Sequence, residues 1–182
     1  LKLADRGVMN KTLLKIISQN TRQPVETEGD VYSLAACNDI GCTRLVEMMK
    51  EFEIDDLKKL SDFIYDKSLS AVENEIKKIP NGEYENSMMI DGFEKDIKLE
   101  AKLTVSDNSI SVDYTGTSDK SKFGINVPLS YTKAYTCFGL SCLVSAEVPN
   151  NAGSLKPFEI DAPLGSILNA PYPAAVCARH II

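Results

Sequence analysis

Several things are scarce in this sequence, and each scarcity excludes a class of chemistry. There is one histidine, His180. None of the five cysteines (Cys37, Cys42, Cys137, Cys142 and Cys177) forms a Cys-x-x-Cys pair. A zinc site needs four closely arranged soft ligands, and this spacing does not supply them. An odd number of thiols without a dense framework points to reduced, buried, inert cysteines and a cytoplasmic location. A Ser-His-Asp triad would depend on His180 alone. No G-x-x-x-x-G-K-[ST] loop, no G-x-G-x-x-G and no G-x-S-x-G elbow occurs. The longest apolar stretch, from Ala134 to Ala146, is shorter than the ~20 residues that span a bilayer. Membrane insertion is therefore not expected. Basic clusters are also missing. The formal net charge is -6, and Lys58-Lys59 and Lys77-Lys78 sit among acids, which argues against nucleic acid as a partner. No signal-peptide pattern follows Leu1, and the run to Ile182 has no helix stop signal, so the chain reads as an internal piece of something longer.

What is present describes a folded protein. Hydrophobic residues make up 43% and charged residues 25% of the chain, an ordinary balance for a globular domain. Leu13, Leu14, Ile16 and Ile17 predict a short helix that ends before Thr21-Arg22-Gln23-Pro24. The acidic segment Pro24 to Asp30 reads as a loop, and Val31 to Ala36 fits either a helix or a strand. Leu45, Met48, Met49 and Phe52 fall on one helical face. Glu53 to Asp56 then breaks that helix. A long amphipathic helix follows, with its apolar stripe running from Leu57 to Ile79 before Pro80.

After Asn81-Gly82 the apolar period changes to two. Tyr84 to Ile90 reads as a strand, and Ile97, Leu99, Ala101, Leu103 and Val105 alternate without a miss. Ile110, Val112 and Tyr114 alternate again. Tyr131, Ala134, Tyr135, Phe138 and Cys142 share one helical face, while Leu140, Leu143 and Val144 occupy the others, which predicts a buried helix. The expected class is α+β: a helical region over residues 1–80, then over 81–182 an antiparallel β-meander packed on a buried helix, followed by Pro/Gly-rich loops.

Turn-forming and amide residues crowd the second half. They form the runs Asp113-Tyr114-Thr115-Gly116-Thr117, Gly124-Ile125-Asn126, Pro149-Asn150-Asn151-Ala152-Gly153 and Pro163-Leu164-Gly165-Ser166-Ile167-Leu168-Asn169. Asn offers both donor and acceptor, and Gly lets backbone approach closely. Asp113, Asn126, Asn150 and Asn169 are candidates for holding a small polar ring or an interface, or for turning the chain and nothing more. Gly116, Gly153 and Gly165 are read as conformational. Arg179 is a candidate for binding an anion, against the commoner reading of a surface salt bridge.

These runs, in this order, resemble the hydantoinase B/oxoprolinase family. Asp113 to Thr117 is similar to its DFTGTS run, Pro149 to Pro157 to its P-x-N-x-G-x-x-R-P run, Pro163 to Asn169 to PEGSILN, and Pro173 to Val176 to PAAV. Upstream, Asn20 to Pro24 and Gly29-Asp30 resemble a further family run. The sequence departs from the pattern at Leu164, where the family often has an acid, and at Lys156, which replaces an Arg and loses its bidentate fork.

The resemblance implies part of a B-type subunit of an ATP-dependent enzyme that opens 5-oxoproline or hydantoin-like rings. It implies an A-type partner subunit that carries most of the ATP binding, a small cyclic amide substrate and a hetero-oligomer. Related acetone carboxylases imply a ketone-carboxylating alternative, and a non-catalytic scaffold or interface domain is a third reading. The family's metal-ligand motifs precede the stretch matched here. The resemblance thus allows a metal in the full-length protein, and no ligand is transferred to these residues.

Overall fold

The computed structural model describes all residues, 1–182, and forms two compact units, Leu1–Leu57 and Lys58–Ile182.

The first unit opens with a two-residue hairpin, β1 (Ala4–Asp5) and β2 (Val8–Met9), that sequence periodicity is too short to reveal. Asn10 caps α1 (Lys11–Gln19), its side chain accepting from the Leu13 N–H at 3.1 Å. A single 28-residue helix, α2 (Pro24–Glu51), follows. Pro24 to Asp30, expected as a loop, forms its first two turns. Proline at the first helical position sacrifices no hydrogen bond, and Glu26 in the first turn meets the positive end of the helix dipole. None of the residues of α2 is buried, and Val25, Leu34, Ile40 and Leu45 are exposed.

The second unit begins with α3 (Lys58–Ile76), which buries Ser68, Val72 and Ile76 at spacings of four. The second unit thus starts at Lys58. Val72 and Ile76 are fully buried in the core that the sheet also lines, so this helix belongs with the strands. A four-stranded sheet follows in the order β3 (Gly82–Ile90), β4 (Ile97–Ser106), β5 (Ser109–Asp113), β6 (Phe158–Asp161). The first three strands form the expected antiparallel meander, with Ile90 opposite Ile97 and Ser106 opposite Ser109. β6 is an addition to it, pairing parallel with β5. Parallel neighbours need a crossover connection, and residues 114–157 supply one through α4 (Leu129–Val144) and α5 (Ala152–Leu155).

Val105, Ile110, Val112, Leu140, Phe158 and Ile160 close one core with Val72 and Ile76. A second core, Ile97, Ile125, Val127, Ala162, Ile167 and Leu168, is drawn mostly from loops. α4 reaches the first core through Leu140, yet it is not enclosed as its all-round apolar composition predicts. Tyr135, Phe138 and Leu143 are exposed, the last at 86%. The sheet and α3 cover one stripe of α4 and leave these side chains exposed. The cysteines also differ from expectation: Cys37, Cys42, Cys142 and Cys177 are exposed, and Cys137 is half-buried. The four exposed ones lie on helix faces and a loop that the cores do not reach, whereas Cys137 packs against the first core.

Candidate functional site

The polar loops after β5 are built onto the edge of the sheet. Asp113 accepts both the N–H and the hydroxyl of Thr115, at 2.9 and 2.7 Å, which turns the chain out of the strand. Thr117 then substitutes for a strand beside β4. Its hydroxyl accepts the Glu100 N–H at 3.0 Å and donates to the Glu100 carbonyl at 3.1 Å. Ser118 repeats this at Lys98, where its hydroxyl accepts the Lys98 N–H and its own N–H donates to the Lys98 carbonyl, each at 2.9 Å. Between Tyr114 and Thr117, Gly116 sits at φ +97, and a Cβ there would lie 2.5 Å from a Glu100 carboxylate oxygen.

Asn126 is fully buried and pins its own loop to the segment at Ala175. Its amide oxygen accepts the Ser121 N–H at 2.7 Å, and its amide nitrogen reaches the carbonyls of Ser121, Phe123 and Ala175 within 3.0 Å. Asn169 donates to the Ala162 carbonyl at 2.7 Å, and its own carbonyl receives the N–H of Gly165, itself at φ +92. Asn150 is exposed in the turn before α5. Its neighbour Asn151, not singled out from the sequence, is the structural residue there. It caps α5 through the N–H groups of Gly153 and Ser154 and donates to the Ser68 hydroxyl of α3 at 2.8 Å. The Asn-x-x-Ser spacing of a capping box was the available signal. Gly153 packs against the backbone of Tyr65, so closely that a Cβ would collide with it.

A cleft of about 430 Å³ opens between β3, β4, α4 and the C-terminal loops. Asp113, Asn126, Asn150 and Asn169 do not line it. Tyr114, Val127 and Leu168, each the immediate chain neighbour of one of these candidates, do. Asp113, Asn126 and Asn169 therefore brace the loops, and the residues beside them form part of the wall. The Tyr114 hydroxyl shares a 2.7 Å hydrogen bond with Thr136, and Thr132 donates to the Leu168 carbonyl at 2.6 Å, so α4 is tied to the loops on both sides.

Tyr131 and Tyr135, one turn apart on α4, stack with centroids 4.4 Å apart and an interplanar angle of 23°. The Arg179 guanidinium lies over the Tyr131 ring at 5.3 Å. A hydrogen bond with the Tyr135 hydroxyl, followed by desolvation, holds the Tyr131 phenol above its ordinary pKa. The shared helical face of Tyr131 and Tyr135 was legible in the sequence; their meeting with Arg179 was not. No group of three or more His, Cys, Asp or Glu side chains is placed to hold a metal ion. No helix is long and apolar enough to cross a membrane.

Together these features define an α+β domain whose cleft is built jointly by two strands of the sheet, α4 and the loops beside them. Comparison with known proteins places the fold and the family. The chain belongs to the hydantoinase B/oxoprolinase family, whose model matches residues 1–182. It is 30% identical to a protein named as the B subunit of a D-/L-hydantoinase from Pseudomonas sp. (strain NS671), over 98% of this chain and 33% of that protein. It is 27% identical to 5-oxoprolinase 1 of Arabidopsis thaliana, over 100% of this chain and 15% of that protein. Among solved structures, the ATP-dependent caprolactamase of Pseudomonas jessenii superposes with a TM-score of 0.86 at 18% identity, covering 98% of this chain and 32% of that one. A nucleotide-free acetone carboxylase superposes at 0.78 with 14% identity, over 98% and 26%. These two share the fold. The chain spans a third or less of the length of each of these relatives.

Proposed function

We propose that this chain is part of the B-type subunit of an ATP-dependent cyclic-amide hydrolase that opens 5-oxoproline or hydantoin-like rings in the cytoplasm, in a hetero-oligomer with an A-type subunit. The observation that carries the reading is the family match along the whole chain, with relatives named for hydantoinase and 5-oxoprolinase. The likeness to the fold of an enzyme titled ATP-dependent caprolactamase supports it. ATP is assigned mainly to the partner, as the family resemblance implies. The uncovered apolar face of α4, with Tyr135, Phe138 and Leu143, is the kind of surface an assembly buries. In this reading exposed Asp113 and Asn150 face substrate or partner, while Asn126 and Asn169 hold the loops in position.

The test is ATP-dependent ring opening of 5-oxoproline and hydantoin by the full-length protein purified with the A-type subunit from the neighbouring reading frame. Turnover supports the proposal. Bicarbonate-dependent consumption of acetone instead would move the protein to the ketone carboxylases. Tight binding of the partner, with turnover unaffected by removal of residues 1–182, would make this segment a scaffold. The 182-residue chain by itself is expected to release no phosphate from ATP.

A further inference from the structure

The cleft beside α4 carries one side-chain charge without a counter-charge. Glu100 lines it but is paired with Lys98. None of the chain's ion pairs includes Arg179, so the surface salt bridge expected for it does not form. Two contacts nevertheless fix the guanidinium. One of its terminal nitrogens donates to the Val176 carbonyl at 3.0 Å, and the group is held over Tyr131, which is braced by Tyr135. An arginine so placed keeps donors in a rigid fork, the geometry that receives a carboxylate. Around it the wall is largely apolar, with Leu99, Val127 and Leu168, and the volume falls within the ~300–1,000 Å³ typical of small-ligand sites.

We infer that Arg179 is a specificity-determining residue of this cleft, receiving the carboxylate of a small ring whose apolar carbons lie against Leu99, Val127 and Leu168. The inference rests on the cyclic-amide reading for the identity of the ring. Within that reading it selects rings that bear a carboxylate over neutral ones. A half-buried, preorganised cation attracts an anion more strongly than an exposed one, because water screens it less.

The experiment is calorimetric binding of 5-oxoproline and of 2-pyrrolidinone, the same ring without its carboxylate, to the full-length protein with its A-type subunit and without ATP. Wild-type protein is expected to bind 5-oxoproline about ten- to a hundredfold more tightly than 2-pyrrolidinone. Arg179→Gln abolishes that preference by weakening 5-oxoproline alone, and Arg179→Lys restores part of it. An unchanged unfolding midpoint shows that the variants are folded. Equal affinity of Arg179→Gln and wild type for 5-oxoproline would overturn the inference, as would wild-type protein that binds neither ring or prefers the neutral one. ATP-dependent turnover, measured in parallel, separates the two claims. Loss of turnover with the binding preference intact defeats the hydrolase reading and leaves the role of Arg179 standing.

Discussion

The hydroxyl of Thr132 donates to the carbonyl of Leu168 across 2.6 Å, and both residues are buried. This bond joins the first turns of α4 to the loop that carries Gly165 and Asn169. It is the contact through which the helix and the loop share one wall of the cleft. Thr132→Val keeps the shape and removes the donor, leaving the Leu168 carbonyl without that partner in a place water does not reach. The expected cost is ~1–3 kcal/mol, read as a fall in the chemical unfolding midpoint. Thr132→Ser, which retains the hydroxyl, recovers most of it.

Gly153 and Gly139 offer a paired test of what each glycine does. At Gly153 an added Cβ would run into the backbone of Tyr65, where α5 meets α3, and neither backbone is free to yield. Gly153→Ala is expected to destabilise by ~3 kcal/mol through overpacking. Gly139 lies in the middle of α4, and a methyl group added there would meet nothing within 4 Å. Gly139→Ala is expected to stabilise by ~1 kcal/mol through helix propensity alone. Thermal unfolding of the two variants should therefore shift in opposite directions.

Asn126 holds the loop from Ser121 to Phe123 and the segment at Ala175 through one buried amide. Asn126→Ala strands several backbone groups at once. It is expected to release the segment that carries Arg179 before the sheet unfolds. Hydrogen exchange measures this directly: protection should fall around residues 121–126 and 174–181 while β4 stays protected. Uniform loss of protection across β4 would mean that Asn126 supports the whole unit and not the cleft wall.

The meander was readable because β4 alternates from Ile97 to Val105 over a stretch longer than chance produces, and the turns at Asn81-Gly82 and Ser106–Ser109 delimit it. The alternation of β6, Phe158 and Ile160, spans only four residues. Its pairing with β5 depends on a crossover of more than forty residues (114–157), which local pattern does not carry. The sequence pattern divides α2 because Pro24, Gly29 and a row of acids look like a loop. Its first turns tolerate all of them, and no core contact imposes a periodic stripe. The order of the Gly/Asn/Pro runs was visible from the residues. The cleft was not, because Leu99, Tyr114, Tyr131, Leu168 and Arg179 come from five separate segments. Asp113, Asn126 and Asn169 stand one position away from the wall residues Tyr114, Val127 and Leu168, and Asn150 adjoins none of the lining. Polarity marks the residues that brace a loop, and the lining between them is apolar or aromatic.

Cys137 should differ from the other thiols in reactivity. It is half-buried on α4, and desolvation raises its pKa, with Lys133 opposing the shift. Cys37, Cys42, Cys142 and Cys177 are exposed. The thiolate is the reacting form, so alkylation followed by mass spectrometry at mildly alkaline pH should label Cys137 last, and its labelling rate should rise at higher pH than that of an ordinary thiol. The same shift gives the sign of its linkage to folding. A thiol whose folded pKa is raised binds its proton more tightly in the native state. Its small contribution to stability is therefore complete below the unfolded-state thiol pKa and lost as pH rises through the folded one. Cys137→Ala should flatten that alkaline decline. If Cys137 is instead alkylated as fast as Cys142 on the same helix, then α4 must detach from the sheet on the timescale of labelling, and the wall formed by Thr132, Thr136 and Leu168 would be a transient one.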